Sequence, residues 1–404
     1  MQNNQSDELM TKRCKVLFLM SRFLDGGIDS VLIDYLKLLA QYKEYQITLA
    51  IALDMGALEV FAGQVPQNIK TVHLVKQEYL LKWRREKITH RLPLLKKIGD
   101  EVFLNPIRRF IIQREINLLA RENDIIIDFD CCAYSYLHHT DKKKIAWFHF
   151  SFDQNMKQNK RRTMRIGRRL ESYDKVVTIS KAMCEEGRTL FPRLDQKFCV
   201  IYNAKNRNQL LLRANEPTHD PRTEQAYILA VERLEESQKD ITTLLYAYQM
   251  LRERYHHQEL LYLLGKGQSE KQLRQLAQTL GIEASVVFLG FSENPYPWIQ
   301  NARLLVHSSK FEGLPTVLLE GLMLDKLMVS TDCPTGPREI LDDGRAGLLV
   351  PVGDAPKMAK AMHRILTEKE LQDSIMQHAV QHRKHFMQEE ALRQFHEIIK
   401  EANN

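Results

Sequence analysis

The chain has 404 residues, 44% of them hydrophobic and 27% charged, a length that suits two to three packed domains, with two as the expectation. Lys and Arg number 58 against 51 Asp and Glu, and the net +7 is concentrated in the first half, which suits an anionic partner without saying which kind. Six cysteines (Cys14, Cys131, Cys132, Cys184, Cys199, Cys333) form no Cys-x-x-Cys pair and have no histidine at zinc spacing, which argues against a disulfide framework and a metal site.

The first residues, MQNNQSDELMTKR, are polar and lack an apolar signal core, and no later stretch approaches the roughly 18 uncharged apolar residues needed to span a bilayer, so a soluble, cytoplasmic chain is expected. KVLFLM then reads as a strand, LDGGID as a turn, and Ile28, Val31, Leu32, Tyr35, Leu36 and Leu39 recur at helical spacing. YQITLAIAL, DIIIDF, KIAWFHF, KVVTIS and FCVIYN follow as further buried parallel strands. The polar stretch Asn203 to Gln225, with Pro217 and Pro221, reads as an interdomain connection. AYILAV, ELLYLLG, SVVFLG, RLLVHSS, LMVST and GLLVPV repeat the rhythm, with helices expected at Ile241 to Tyr255 and Glu270 to Leu280, and a last helical stretch from about Leu371 to Ala402. Two such sets predict an α/β chain of two doubly wound, Rossmann-like domains, 1–205 and 206–385, closed by a helical segment 386–404.

The stretch KFEGLPTVLLEGLML sets Glu312 and Glu320 eight positions apart around a glycine and a proline. RLLVHSS is a strand, KFEGLP a loop, and Pro315 suits the first turn of a helix, where a missing amide hydrogen costs nothing. Glu312 then lies at the carboxyl end of a strand, where open α/β sheets bind ligands, and Glu320 lies about two turns into a helix whose free amides favour phosphate. A loop acid followed by a surface helical acid is the competing reading. Gly26 and Gly27 are adjacent, unlike the Gly-x-Gly-x-x-Gly dinucleotide loop, and could simply make the turn. His149 ends the apolar run IAWFHF, either near a ligand or as a core-edge histidine held by hydrogen bonds. Two basic stretches, Leu80 to Phe110 with Trp83 among its cations, and Lys157 to Arg169 with seven cations and no acid, are either solvated faces or docking surfaces for an anionic membrane. No nucleic-acid motif accompanies the charge.

SSKFEGLPTVLLEG, TDCPTGPREIL and GLLVPVGD, in this order, closely resemble the retaining glycosyltransferases of family 4, whose two facing Rossmann-like domains form the GT-B fold. The likeness extends to ILAVERLEESQKDITTLLYA, VIYNAKN and FLDGGIDSVLIDYL, so nearly the whole chain is covered. It implies an N-terminal acceptor-side domain, a C-terminal nucleotide-sugar domain, and a hexose moved from a nucleotide sugar, UDP-linked, to a saccharide or lipid-linked saccharide of lipopolysaccharide, capsule or a similar envelope glycan. It also implies that Glu312 reaches the donor sugar and Glu320 the ribose, and that amides of Phe311, Gly313, Leu314 and Thr316 face sugar and diphosphate. Arg233 and Lys239 would hold the diphosphate, Gly26 and Gly27 approach it from the other domain, and His149 orient the sugar. No metal and no cofactor are expected, and peripheral contact with the cytoplasmic face of the inner membrane fits the basic stretches. Glu232 departs from the pattern, because many members have glycine there. The rivals are a catalytically silent partner subunit and a sugar-nucleotide epimerase; a silent subunit should have lost Glu312, Arg233 or Lys239, and an epimerase lacks the paired acids.

Overall fold

The computed structural model describes residues 13–403 apart from 25, 91, 138, 139 and 219, so most of the polar N-terminal stretch lies outside the described residues. The first domain is a seven-stranded sheet of β1 (Cys14–Met20), β2 (Tyr45–Leu53), β3 (Lys70–Val75), β4 (Ile125–Asp128), β5 (Lys143–Phe148), β6 (Lys175–Thr178) and β7 (Phe198–Val200). Its order is β3-β2-β1-β4-β5-β6-β7 and every pairing is parallel. The second is a six-stranded parallel sheet of β8 (Tyr227–Val231), β9 (Leu260–Leu264), β10 (Val286–Gly290), β11 (Leu304–His307), β12 (Met328–Thr331) and β13 (Leu348–Val350), ordered β10-β9-β8-β11-β12-β13.

These strands form where helices cover both faces, so their sequences are continuous apolar runs. Val16 to Met20 are all buried, as are Ile125 to Asp128 and Leu304 to His307. β3 is the strand the sequence reading lacks: KTVHLV lies at a sheet edge, its first residues are exposed, and it carries no continuous apolar run. The strand order reverses between β1 and β4 and between β8 and β11, and at such switch points the loops part to leave a crevice.

The expected connection between domains contains a helix, Arg207–Ala214, which lies beside the helix Tyr296–Asn301 of the second domain, with Asn294 Nδ2 donating to the Arg213 carbonyl at 2.8 Å. The last helical stretch is two helices, Lys369–His382 and Gln388–Asn403, divided at a turn where Phe386 is buried and the Lys205 amide donates to its carbonyl at 3.1 Å. The final helix lies on the first domain, where Phe395 packs on Tyr45 and Lys175 pairs with Glu401 at 2.6 Å.

The Glu339 carboxylate joins the two domains directly. Glu339 Oε2 and Oε1 accept the Lys181 and Ala182 amides, at 2.9 and 2.8 Å, at the start of the first-domain helix Lys181–Leu190, and the Tyr202 hydroxyl donates to Oε2 at 2.9 Å. An anion on free helix-start amides is the favourable sign for the helix dipole.

Candidate active site

The loops that leave β8 and β11 meet at the switch point of the second sheet. After β8 come Glu232 and Arg233, then a short helix Glu236–Lys239. After β11 come Ser308 to Pro315, then the helix Thr316–Met323, whose start has no side-chain cap. That leaves first-turn amides at Thr316 and Val317 for a ligand.

Glu312 is the hub of this junction. Its Oε1 accepts from Lys239 Nζ at 2.5 Å and from Ser309 Oγ at 2.6 Å, and lies 3.2 Å from His307 Nε2; Gln238 Nε2 reaches Oε2 at 3.4 Å. Burial alone would raise the Glu312 carboxyl, but Lys239 and His307 prevail and hold it well below the usual carboxylate range, so it is an anion at neutral pH. Burial likewise opposes the charge on Lys239, and Glu312 with Glu232 overcomes it and raises its pKa. His307 is fully buried with Nδ1 3.0 Å from Ser330 Oγ, which fixes the ring under the carboxylate.

Arg233 is exposed and reaches Gln238 Oε1 at 3.3 Å, so most of its fork faces solvent beside the Lys239–Glu312 pair. Glu232, where the resemblance expects glycine, turns inward. It is buried, accepts the Ser308 amide at 3.2 Å, and its Oε2 has no hydrogen-bond partner among the described residues. Burial raises its pKa although His307 and Lys239 oppose that. Its side chain therefore lies behind the loop and leaves the loop's outer side to Arg233.

The opposite wall comes from the first domain. A Cβ on Gly313 would lie 2.4 Å from the His149 carbonyl oxygen, so only glycine allows this approach of the two domains. Gly336 (φ +95°) makes a second close approach, since a Cβ there would lie 2.8 Å from the Gly313 carbonyl. His149 is buried with its ring 4.7 Å from Phe129, and Nε2 has no hydrogen-bond partner among the described residues. Burial pushes its pKa down to about 4, against a backbone contact with Phe129 that raises it, so the imidazole is neutral at pH 7. Gly26 and Gly27 stand exposed at the start of the helix Gly27–Leu39, with the Gly26 amide donating to Asp29 at 2.8 Å.

Glu320 is not part of the Glu312 cluster. It is buried in the helix Thr316–Met323 with Oε1 3.2 Å from Lys205 Nζ, and that ammonium also reaches Asp34 Oδ2 at 2.9 Å. Burial raises the Glu320 pKa while Lys205 lowers it, and the two carboxylates raise Lys205 against its own burial. The structure thus brings Glu312, Lys239, Phe311, Gly313 and His149 together with Arg233 alongside, and places Glu320 in a charged group shared with the first domain's Asp34.

Sequence reasoning passed over His307 and Ser309, because RLLVHSS reads as strand, and over Gln238, whose contact with Glu312 joins segments 74 positions apart. It also passed over the acids at the first sheet's switch point. Asp128 accepts the Cys132 and Ala133 amides, both at 3.0 Å, and the Tyr173 hydroxyl. Burial and the neighbouring Asp130 push Asp128 up to about 7. Asp130 accepts the Ser21 amide at 2.9 Å and the Ser21 hydroxyl, and its Oδ1 has no partner among the described residues.

Among the described residues one His/Cys/Asp/Glu group has ligand atoms within 4.8 Å of one another, Asp54, Glu59 and His73, at the β2–β3 end of the first sheet. Its atoms hold the local loop: Asp54 accepts the Gly56 amide and pairs with Arg85 at 3.3 Å, Glu59 accepts the Met55 amide, and His73 lies 3.0 Å from Glu59.

The two facing parallel-sheet domains have the GT-B fold. HepE of Anabaena, solved in complex with UDP, superposes with a TM-score of 0.72 at 17% identity over 96% of this chain and 100% of that one. Residues 213–382, which hold the β8 and β11 loops, match the family model described as glycosyl transferases group 1. An uncharacterized glycosyltransferase of Haemophilus influenzae is 26% identical over 88% of this chain and 90% of its own length. The N-acetylgalactosamine-N,N'-diacetylbacillosaminyl-diphospho-undecaprenol 4-alpha-N-acetylgalactosaminyltransferase of Campylobacter jejuni is 30% identical over 49% of this chain, and the matched part spans 52% of that relative.

Proposed function

We propose that the chain is a retaining, metal-independent glycosyltransferase that moves a hexose from a UDP-sugar to a saccharide acceptor carried on a lipid, within an envelope glycan. The observation that carries this reading is Glu312. An ionised carboxylate, fixed by Lys239, Ser309 and His307, sits at the β11 switch point beside an exposed guanidinium, and the next residue, Gly313, approaches the His149 carbonyl of the other domain. A carboxylate in that place accepts vicinal sugar hydroxyls, and the cations beside it neutralise a departing diphosphate. The relatives and the UDP complex of a structural neighbour support a nucleotide-sugar donor, and the diphospho-undecaprenol in one relative's name supports a lipid-linked acceptor.

In this mechanism the bond from the anomeric carbon to the diphosphate breaks while the acceptor oxygen forms its bond on the same face. The acceptor proton passes to the departing phosphate oxygen. Arg233 and Lys239 hold the negative charge that develops, aided by the first-turn amides of the helix Thr316–Met323. Neutral His149 orients the sugar and takes no proton. Glu320 binds the ribose through exchange of part of its contact with Lys205, and Gly26 and Gly27 offer backbone amides to the phosphates. The test is a panel of nucleotide sugars followed by thermal shift and by donor hydrolysis. A UDP-hexose at about 100 times its dissociation constant stabilises by roughly 2.7 kcal/mol. A panel in which no UDP-sugar stabilises the protein or is hydrolysed contradicts the proposal.

A further inference from the structure

Leu94–Gly99, a π-helical turn Asp100–Leu104 and Asn105–Glu122 form one continuous helical run on the first domain. Its inner face is buried through Arg108, Ile112, Ile116 and Leu119. Its outer face is also apolar, which is unusual for a helix in water: Leu94, Leu95 (84% exposed), Ile98, Val102, Phe103 (68%), Ile107 and Phe110 (71%) all stand in solvent. The π turn underwinds the run within its first half, so residues on either side of it share this outer face.

The surroundings of the face are basic. Residues 78–122 hold eleven Lys and Arg against six Asp and Glu. The apolar run leads to a second cationic element through direct contacts: Gln113 Nε2 donates to the Tyr136 carbonyl at 2.8 Å, and the Tyr134 ring lies 3.8 Å under the Arg169 guanidinium. Arg169 belongs to the helix Lys160–Leu170, where Lys160, Arg161, Arg162, Arg165 and Arg168 are exposed and no ion pair reaches them among the described residues. Several cations of the Leu80 to Phe110 stretch are instead occupied, Arg84 and Arg108 on Asp100 and Lys96 on Glu86, and Trp83 packs against Gly99. In that stretch the lipid-seeking element is therefore the apolar face rather than Trp83 or the charge.

We propose that this face, Leu94 to Phe110, inserts into an anionic lipid bilayer while the helix Lys160–Leu170 lies on its headgroups. The charge decides against a second copy of the chain as the occupant, because an isologous contact would set two cationic surfaces against each other. An anionic leaflet supplies both the apolar interior and the opposite charge. Among the described residues no helix is long and apolar enough to cross a membrane, so the contact is interfacial. The same domain supplies His149 to the cleft, so docking here would bring a lipid-carried acceptor to the first-domain wall of the site; this part rests on the transferase reading, whereas membrane binding itself does not.

The test uses the full chain with vesicles and no donor, so its outcome is independent of activity. The wild type should co-sediment with vesicles rich in phosphatidylglycerol and only weakly with phosphatidylcholine. The variant Leu95→Glu/Phe103→Glu/Phe110→Glu should melt as the wild type does, because all three side chains are exposed, and should lose on the order of a hundredfold in partitioning. A fluorophore on Phe103→Cys should shift to the blue on binding. Retained binding by the triple variant overturns the proposal, as does an unshifted fluorophore or a wild type that ignores the anionic vesicles and dimerises instead.

Discussion

Replacing Lys239 by alanine should damage stability as well as turnover, because the ammonium is the nearest partner of a buried anion. Its Nζ lies 2.5 Å from Glu312 Oε1, with side-chain exposures of 13% and 10%. Removing one partner of a buried pair costs about 3–5 kcal/mol. The lower end is expected, because Ser309, His307 and Gln238 still reach the carboxylate. With a urea m-value of about 3 kcal/mol/M that corresponds to a midpoint lower by roughly 1 M at pH 7. The sign with pH follows from the depressed Glu312 pKa: its stabilisation is complete above its unfolded value of about 4.3 and fades as pH falls through its folded value, so the gap between variant and wild type should narrow in acid. Lys239→Met/Glu312→Gln removes both charges and should recover most of the midpoint while transfer stays at least about 10²-fold down. The measurements are urea melts by circular dichroism and a transfer assay on the same samples. A Lys239→Ala midpoint equal to wild type at pH 7, or a double variant as unstable as the single one, refutes the reasoning.

Calorimetry should separate the two acids: Glu320→Gln should weaken UDP by roughly 10-fold or more, and Glu312→Gln should bind UDP normally but transfer poorly. Equal effects of the two changes on UDP would show that the sugar and ribose roles are misassigned. Activity should survive EDTA; complete loss restored by manganese or magnesium would mean that the cations and helix start do not carry the diphosphate. His149, with its pKa pushed down to about 4, contributes stability that is complete above its unfolded value of about 6.5 and is lost as pH falls from there toward 4. That loss should reach about 3 kcal/mol in wild-type melts and be missing in His149→Gln; parallel pH profiles would argue against a buried neutral ring.

The strands were legible because parallel strands covered on both faces must be apolar along their whole length, as in KVLFLM and DIIIDF. β3 was not, since an edge strand with exposed Lys70 and Thr71 lacks that run. The break in the last helical stretch was hidden for another reason: Phe386 is buried and the Arg383 guanidinium pairs with Asp325, contacts that no local periodicity encodes. At the site, Glu312 and Lys239 could each be singled out from a motif, but their mutual contact spans 73 positions and follows from β8 and β11 being neighbours. The Glu320–Lys205–Asp34 group joins three distant segments and was invisible for the same reason. Leu80 to Phe110 looked basic in sequence, and only the exposure of Leu95, Phe103 and Phe110 shows that its outer face is apolar.

A nucleoside diphosphate should bind where the β8 loop presents Arg233 beside the Lys239–Glu312 pair. Titration of UDP into wild type and Arg233→Ala by calorimetry tests this most directly, because Arg233 is exposed and its removal should leave the fold intact. The wild type should bind UDP clearly and the variant should lose roughly 10-fold or more, the worth of one charge-assisted contact. Equal affinities in the two proteins, or no UDP binding by the wild type, would contradict it.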